Sequence, residues 1–117
     1  MDIQFKKPDE IRKAVEQSKD VLTVQMEVVR DAFGYDRLGV NVRAEISQKL
    51  SGLGLGHYPV ELPDRQWVPV RLYKLGSSVA DLIDAILNPS DEHDDELRRA
   101  VSGGDAEILK KVKAILE

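Results

Sequence analysis

Residues 23–75, TVQMEVVRDAFGYDRLGVNVRAEISQKLSGLGLGHYPVELPDRQWVPVRLYKL, decide the fold. They read as a helix, a glycine-bounded turn, a second helix and a proline-studded pair of strands. In the first helix Met26, Val29 and Phe33, joined by Val28 and Ala32, form a broad apolar stripe. Thr23 can cap that helix through its hydroxyl, and Gly34 supplies the positive φ that usually stops one. The turn Gly34-Tyr35-Asp36-Arg37-Leu38-Gly39 carries one apolar anchor, Leu38, and lets two helices cross at a large angle. From Val40 to residue 51 the chain is helical again, with Val42, Ile46, Leu50 and Leu53 on the buried side. Asn41, Arg43, Glu45, Ser47, Gln48 and Lys49 then face outward.

The glycines at 52, 54 and 56 break that helix. Two strands follow, His57–Leu62 and Trp67–Leu75, separated by Pro63-Asp64-Arg65-Gln66. In the second, Val68, Val70 and Leu72 alternate with Trp67, Pro69, Arg71 and Tyr73, the period-two pattern of a half-buried strand. Pro59 and Pro69 cannot donate ladder hydrogen bonds, which restricts the pair to a small, edge-rich hairpin.

Outside this stretch, Pro8, Asp9 and Glu10 suit the positive end of a helix over residues 8–19, with Ile11, Ala14, Val15 and Ser18 on one face. Asp20-Val21-Leu22 can pair as a minimal strand against the later hairpin. Beyond Gly76, Ser77 or Ser78 caps a helix whose apolar face is Val79, Leu82, Ile83, Ile86 and Leu87, and Asn88-Pro89 stops it. Ser90 caps an acidic helix that runs through Leu97, Ala100 and Val101 to Ser102-Gly103-Gly104. Asp105 opens a last helix with Ile108, Leu109, Val112, Ile115 and Leu116 on one side. The expected fold class is therefore α+β and mostly helical, with residues 1–76 as a core domain and 77–117 as a helical extension for packing or dimerisation. The helical ending KKVKAILE is compatible with a piece of a longer protein.

The 117 residues suffice to bury a core without metal or disulfide staples, and 42% apolar with 32% charged is ordinary for a globular chain. No apolar run approaches a membrane span and the N-terminus lacks the apolar centre of a signal peptide, so no membrane partner and a cytoplasmic location are expected. Zero cysteines exclude disulfides, thiol catalysis and cysteine zinc sites, and fit a reducing compartment. The net charge of −4 is unevenly spread: residues 1–78 carry 12 Lys/Arg against 11 Asp/Glu, residues 79–117 carry 5 against 10. That balance argues against tight nonspecific DNA binding, although local clusters can still hold phosphate.

Helix, minimal strand, helix, glycine-bounded turn, helix, two-stranded hairpin: over residues 8–75 this order resembles the winged helix-turn-helix domain. FGYDRLG followed by VRAEISQKLSGLGLG is similar to modules of bacterial regulators and defence-associated proteins. The resemblance implies double-stranded DNA as partner, with the helix after the turn in the major groove and the hairpin loop on the backbone or minor groove. By position, the contacts fall to Arg37, Asn41, Arg43, Ser47, Gln48 and Lys49, with Arg65 and Gln66 at the wing tip. Arg can pair with guanine and Asn or Gln with adenine, while Ser and Lys more often hold phosphate. Glu45, Glu61 and Asp64 repel phosphate, so engagement of about three to five phosphates predicts weak binding in physiological salt. A homodimer through the helices after Gly76 doubles the contacts; the same apolar faces can equally complete a monomeric core. The alternative reading is a protein-interaction module built on the same surface or on Trp67 with the C-terminal helices.

Catalysis finds little support. The Gly52/Gly54/Gly56 series follows a helix and enters a hairpin, the reverse of a nucleotide-binding glycine loop. A lone histidine such as His57 at the start of a strand is usually structural or solvent-exposed, and no Ser/His/Asp arrangement has local support. His93 lies in SDEHDDE, a cluster that could hold a divalent ion, but acids favour helix starts and Asp94–Arg98 and Asp95–Arg99 form i,i+4 pairs. Asp81 and Asp84 occupy the polar side of an amphipathic helix. Trp67 and Tyr73, expected on one strand face with Arg71, could stack on a base or a partner, though a single Trp in so small a domain is more often partly core. No enzyme activity, metal or cofactor is expected.

Overall fold

The structure, a computed structural model, describes residues 4–102. Among them five helices and one three-stranded antiparallel sheet make an α+β protein, about half helical. The chain forms two compact units, Met1–Lys74 and Leu75–Glu117.

In the first unit α1 (Pro8–Gln17) starts with proline and an acidic first turn, and buries Ile11 and Val15, four residues apart on one face. Lys19 and Asp20 take positive φ angles of 59° and 70°, and Asp20 N–H returns to Val15 O at 2.9 Å. That tight reversal starts β1 (Val21–Gln25). The strand is longer than the minimal Asp20–Leu22 segment and absorbs Thr23, which therefore does not cap the next helix. Its pairing with β3 (Pro69–Lys74) holds Thr23 extended opposite Arg71.

Helix α2 (Met26–Ala32) is capped from afar. Met26 N–H donates to Val68 O and Glu27 N–H to Gln66 O, each at 2.9 Å, so the loop before β3 satisfies amides that a helix start leaves unpaired. Gly34, at φ 78°, ends the turn after Phe33 and swings the chain toward α3 (Val40–Gly52). Ile46 and Leu50 of α3 are fully buried, with Val42, Leu53 and the turn's Leu38 packed at the margin of the core.

Strand β2 is Leu55–Tyr58, two residues earlier than the expected start and shorter than the His57–Leu62 run. Pro59, joined to Tyr58 by a cis peptide bond, lies beyond it and has no N–H for the ladder. Residues 59–68 then form a loop instead of a tight four-residue turn. Leu62 from this loop is buried and joins the core cluster. The sheet order is β1-β3-β2, so the expected two-stranded hairpin is joined by β1. β3 begins at Pro69 and leaves Trp67 outside the strand, exposed and not partly core.

In the second unit Ser77 Oγ accepts Ala80 N–H at 3.2 Å to cap α4 (Ser78–Leu87), which ends at Asn88. Ser90 Oγ accepts His93 N–H at 3.1 Å at the start of α5 (Asp91–Ser102). Val79, Leu82 and Ile83 of α4 are buried, whereas Ile86 and Leu87 reach the surface. Arg98 meets Asp95 at 2.8 Å, an i,i+3 contact in place of the expected Asp95–Arg99 spacing. The helix expected after Asp105, and the Gly103-Gly104 stop, lie outside the described residues. Among the described residues no helix is long and apolar enough to cross a membrane.

Candidate functional site

The turn, α3 and the β2–β3 loop come together on one side of the first unit, and hydrogen bonds divide their polar residues into two groups. The first group is turned inward. Arg43 Nε donates to Leu38 O and its Nη1 to Leu62 O, both at 3.1 Å. One guanidinium thus ties the helix-turn-helix turn, α3 and the loop together, which its planar fork of donors allows. Ser47 Oγ lies 2.8 Å from His57 Nε2, and His57 Nδ1 lies 2.7 Å from Pro59 O. A carbonyl can only accept, so Nδ1 carries the proton, Nε2 accepts, and the Ser47 hydroxyl donates. Burial pushes the His57 pKa below the usual histidine range, while the Pro59 carbonyl pulls the other way.

The second group stays at the surface. Asn41, Glu45 and Gln48 recur at i, i+4 and i+7 and share one exposed stripe of α3. Beside it Tyr35 OH donates to Glu45 Oε2 at 2.6 Å and accepts from Lys49 Nζ at 2.8 Å. The Lys49 ammonium also stands 4.9 Å from the centre of the Tyr35 ring. The Tyr35 hydroxyl, ahead of burial and Glu45, sets the net upward shift of the Lys49 pKa. Arg37 is exposed in the turn.

On the loop the Arg65 guanidinium lies 5.9 Å from the Trp67 ring, and Trp67 is 60% exposed. Gln66 is less a free tip than a strut: its Oε1 accepts from Arg30 Nη1 at 2.9 Å while its carbonyl caps α2. Arg30, half-buried, also holds Asp31 at 3.0 Å. The loop is therefore braced to α2 by Arg30 and Gln66, to α3 by Arg43, and to the core by Leu62. Val60 and Val40 stand exposed at 67% and 73%.

Of the residues predicted to contact DNA, the structure places Arg37, Asn41, Gln48, Lys49 and Arg65 at the surface, engages Gln66 in the loop brace, and commits Arg43 and Ser47 to internal bonds. Three participants escaped the sequence reading. Arg30 drew no reading, Tyr35 stood only as a turn residue, and His57 lies ten residues from Ser47 with no local signal joining them. In the second unit His93 Nδ1 bonds Asn88 O and its Nε2 lies 3.5 Å from Asp84 Oδ2. The Asn88 carbonyl raises the His93 pKa against desolvation, the next largest effect, with smaller upward contributions from the Asp84, Glu96 and Glu92 carboxylates. Among the described residues no three His, Asp or Glu side chains converge as a metal site. No protein-family model, curated protein or solved structure matches the chain.

Proposed function

We propose that the first unit is a winged-helix module that binds double-stranded DNA, in regulation or in directing a larger assembly to DNA, with α3 as reader and the β2–β3 loop as wing. The order helix, strand, helix, helix, strand, strand and the strand order β1-β3-β2 support that class. The observation that carries the reading is the exposed stripe of α3, where Asn41 and Gln48 sit a full two turns apart on one face. Amides so placed can meet the adenine N6/N7 edge. Arg37, Lys49 and Arg65 supply the cations, about three phosphate contacts per module.

The test is fluorescence anisotropy of labelled duplex DNA across a salt series. Saturable binding at low salt, with log affinity falling against log salt by a slope near 3 or below, is the expected result. No binding at low salt removes the DNA reading. The second reading, a protein-interaction module, draws on the exposed Trp67, Val60 and Val40, since tryptophan is a frequent anchor in protein interfaces. Sizing the same sample shows whether two modules join, for which Ile86 and Leu87 are the surface candidates on α4.

A further inference from the structure

Helical geometry sorts the surface of α3. At about 100° per residue, Ile46 and Leu50, both fully buried, point to one side, and Val40, Asn41, Ala44 and Gln48 fall within about 100° of arc on the opposite side. All four are exposed, and Val40, at 73%, is the most exposed large apolar side chain among the described residues. From Val40 to Gln48 this ridge is about 12 Å long, which spans about three base-pair steps. Arg43 and Ser47 border it on one side, Glu45 and Lys49 on the other.

The ridge itself carries no cation. The commonest guanine contact is an Arg or Lys paired with O6 and N7. The single Arg of α3, Arg43, gives its Nε and Nη1 to Leu38 O and Leu62 O, both at 3.1 Å, and the single Lys, Lys49, holds the Tyr35 hydroxyl at 2.8 Å on the flank. Two carboxamides and two methyl-bearing side chains remain. A carboxamide pairs with adenine N6 and N7, and an apolar side chain suits the thymine 5-methyl. An A·T pair sets these two features side by side on its major-groove edge, whereas a G·C pair presents neither. Apolar groups at 40 and 44 beside amides at 41 and 48 therefore match A·T pairs and offer guanine no cationic partner.

We propose that α3 selects A·T-rich duplex DNA, with Val40 and Ala44 against thymine methyl groups and Asn41 and Gln48 on adenine edges. The inference rests on the duplex reading and adds to it the class of sequence read. Arg37, Lys49 and Arg65 then hold phosphate, which supplies affinity and register without sequence preference.

The experiment is anisotropy on the full chain at low salt with two labelled duplex pools of equal length, one randomised over A·T pairs and one over G·C pairs. The A·T pool should bind about tenfold more tightly. Two replacements within that pool identify the contacts. Deoxyuridine for thymidine removes the 5-methyl and should weaken binding about fourfold, and 7-deazaadenine removes N7 and should weaken it about tenfold. The Val40→Ser/Ala44→Ser variant should lose the deoxyuridine effect and keep the 7-deazaadenine effect, and Asn41→Ala/Gln48→Ala should do the reverse. Both replacements are read first on wild type, so the test stands even where a variant melts early. Equal affinity for the two pools overturns the proposal and leaves the duplex reading standing. An A·T preference that neither replacement alters also overturns it, since groove shape is then what is read. No binding to either pool overturns the duplex reading and this proposal together.

Discussion

Replacing Arg43 separates a structural role from a reading role. The side chain donates from Nε to Leu38 O and from Nη1 to Leu62 O, and both bonds are partly buried. A charged donor to a backbone carbonyl contributes about 1.5–3 kcal/mol when removed, and partial exposure brings each bond to the low end. Arg43→Ala should therefore cost about 2–3 kcal/mol, including the desolvation of two orphaned carbonyls. For a unit of this size that corresponds to a fall in Tm of roughly 10–20 °C. Urea unfolding is the cleaner assay, because Trp67, the only tryptophan, lies on the loop that Arg43 braces. Arg43→Lys should recover no more than about half the loss, since one ammonium cannot span both carbonyls. A stability indistinguishable from wild type, together with weakened duplex binding, would refute the reasoning and return Arg43 to the DNA surface.

The histidines should titrate in opposite directions by NMR: His57 with a midpoint below the ordinary value of about 6.5, because burial disfavours its charge, and His93 above it, because Asn88 O and Asp84 favour it. For His57 the unfolded chain binds the proton more readily, so its contribution to the first unit's stability is present above about pH 6.5 and is lost as the pH falls toward its folded pKa. His57→Gln should flatten that part of the profile, and an unchanged acid dependence contradicts it. His93 has the reverse sign, its contribution being present below about pH 6.5 and lost as pH rises through its folded pKa. Gly56→Ala should swing the Tyr73 ring off residue 56 at little cost in stability, since the atoms a Cβ would meet at 2.5–2.7 Å are the far end of that side chain; a large fall in Tm by thermal melt contradicts a movable ring. Glu45→Gln should strengthen duplex binding several-fold at low salt and raise the salt slope by up to about one, as Lys49 gains phosphate; a weaker complex would mark Glu45 as a base contact instead.

Helix positions were legible where apolar spacing and punctuation agreed. Ile11 and Val15, Met26 and Val29, Ile46 and Leu50 all lie four or three residues apart and all are buried, and Gly34 and Ser77 act at the ends where their chemistry predicts. Strand limits were less legible, because a strand ends where its partner ends. Thr23 reads locally as a cap and becomes a strand residue only because Arg71 is opposite it. Trp67 fits the alternation of β3 yet falls outside it, since the carbonyls beside it, at Gln66 and Val68, are already given to the amides of α2.

What the sequence by itself determined is the order of elements and the helix residues at the centre of the core, because both follow from the short-range periodicity of apolar side chains and from turn residues. Which polar residues of α3 remain available was decided only by the tertiary structure. Arg43, Ser47, Gln48 and Lys49 are alike as helix-surface residues in the sequence, but the carbonyls of Leu38 and Leu62 and the imidazole of His57 converge on the first two from distant positions. The reason is the physics of half-buried polar groups: a donor at the edge of a core is held by whichever acceptor the fold brings within about 3 Å, and that partner is set by packing between elements, which no local pattern encodes.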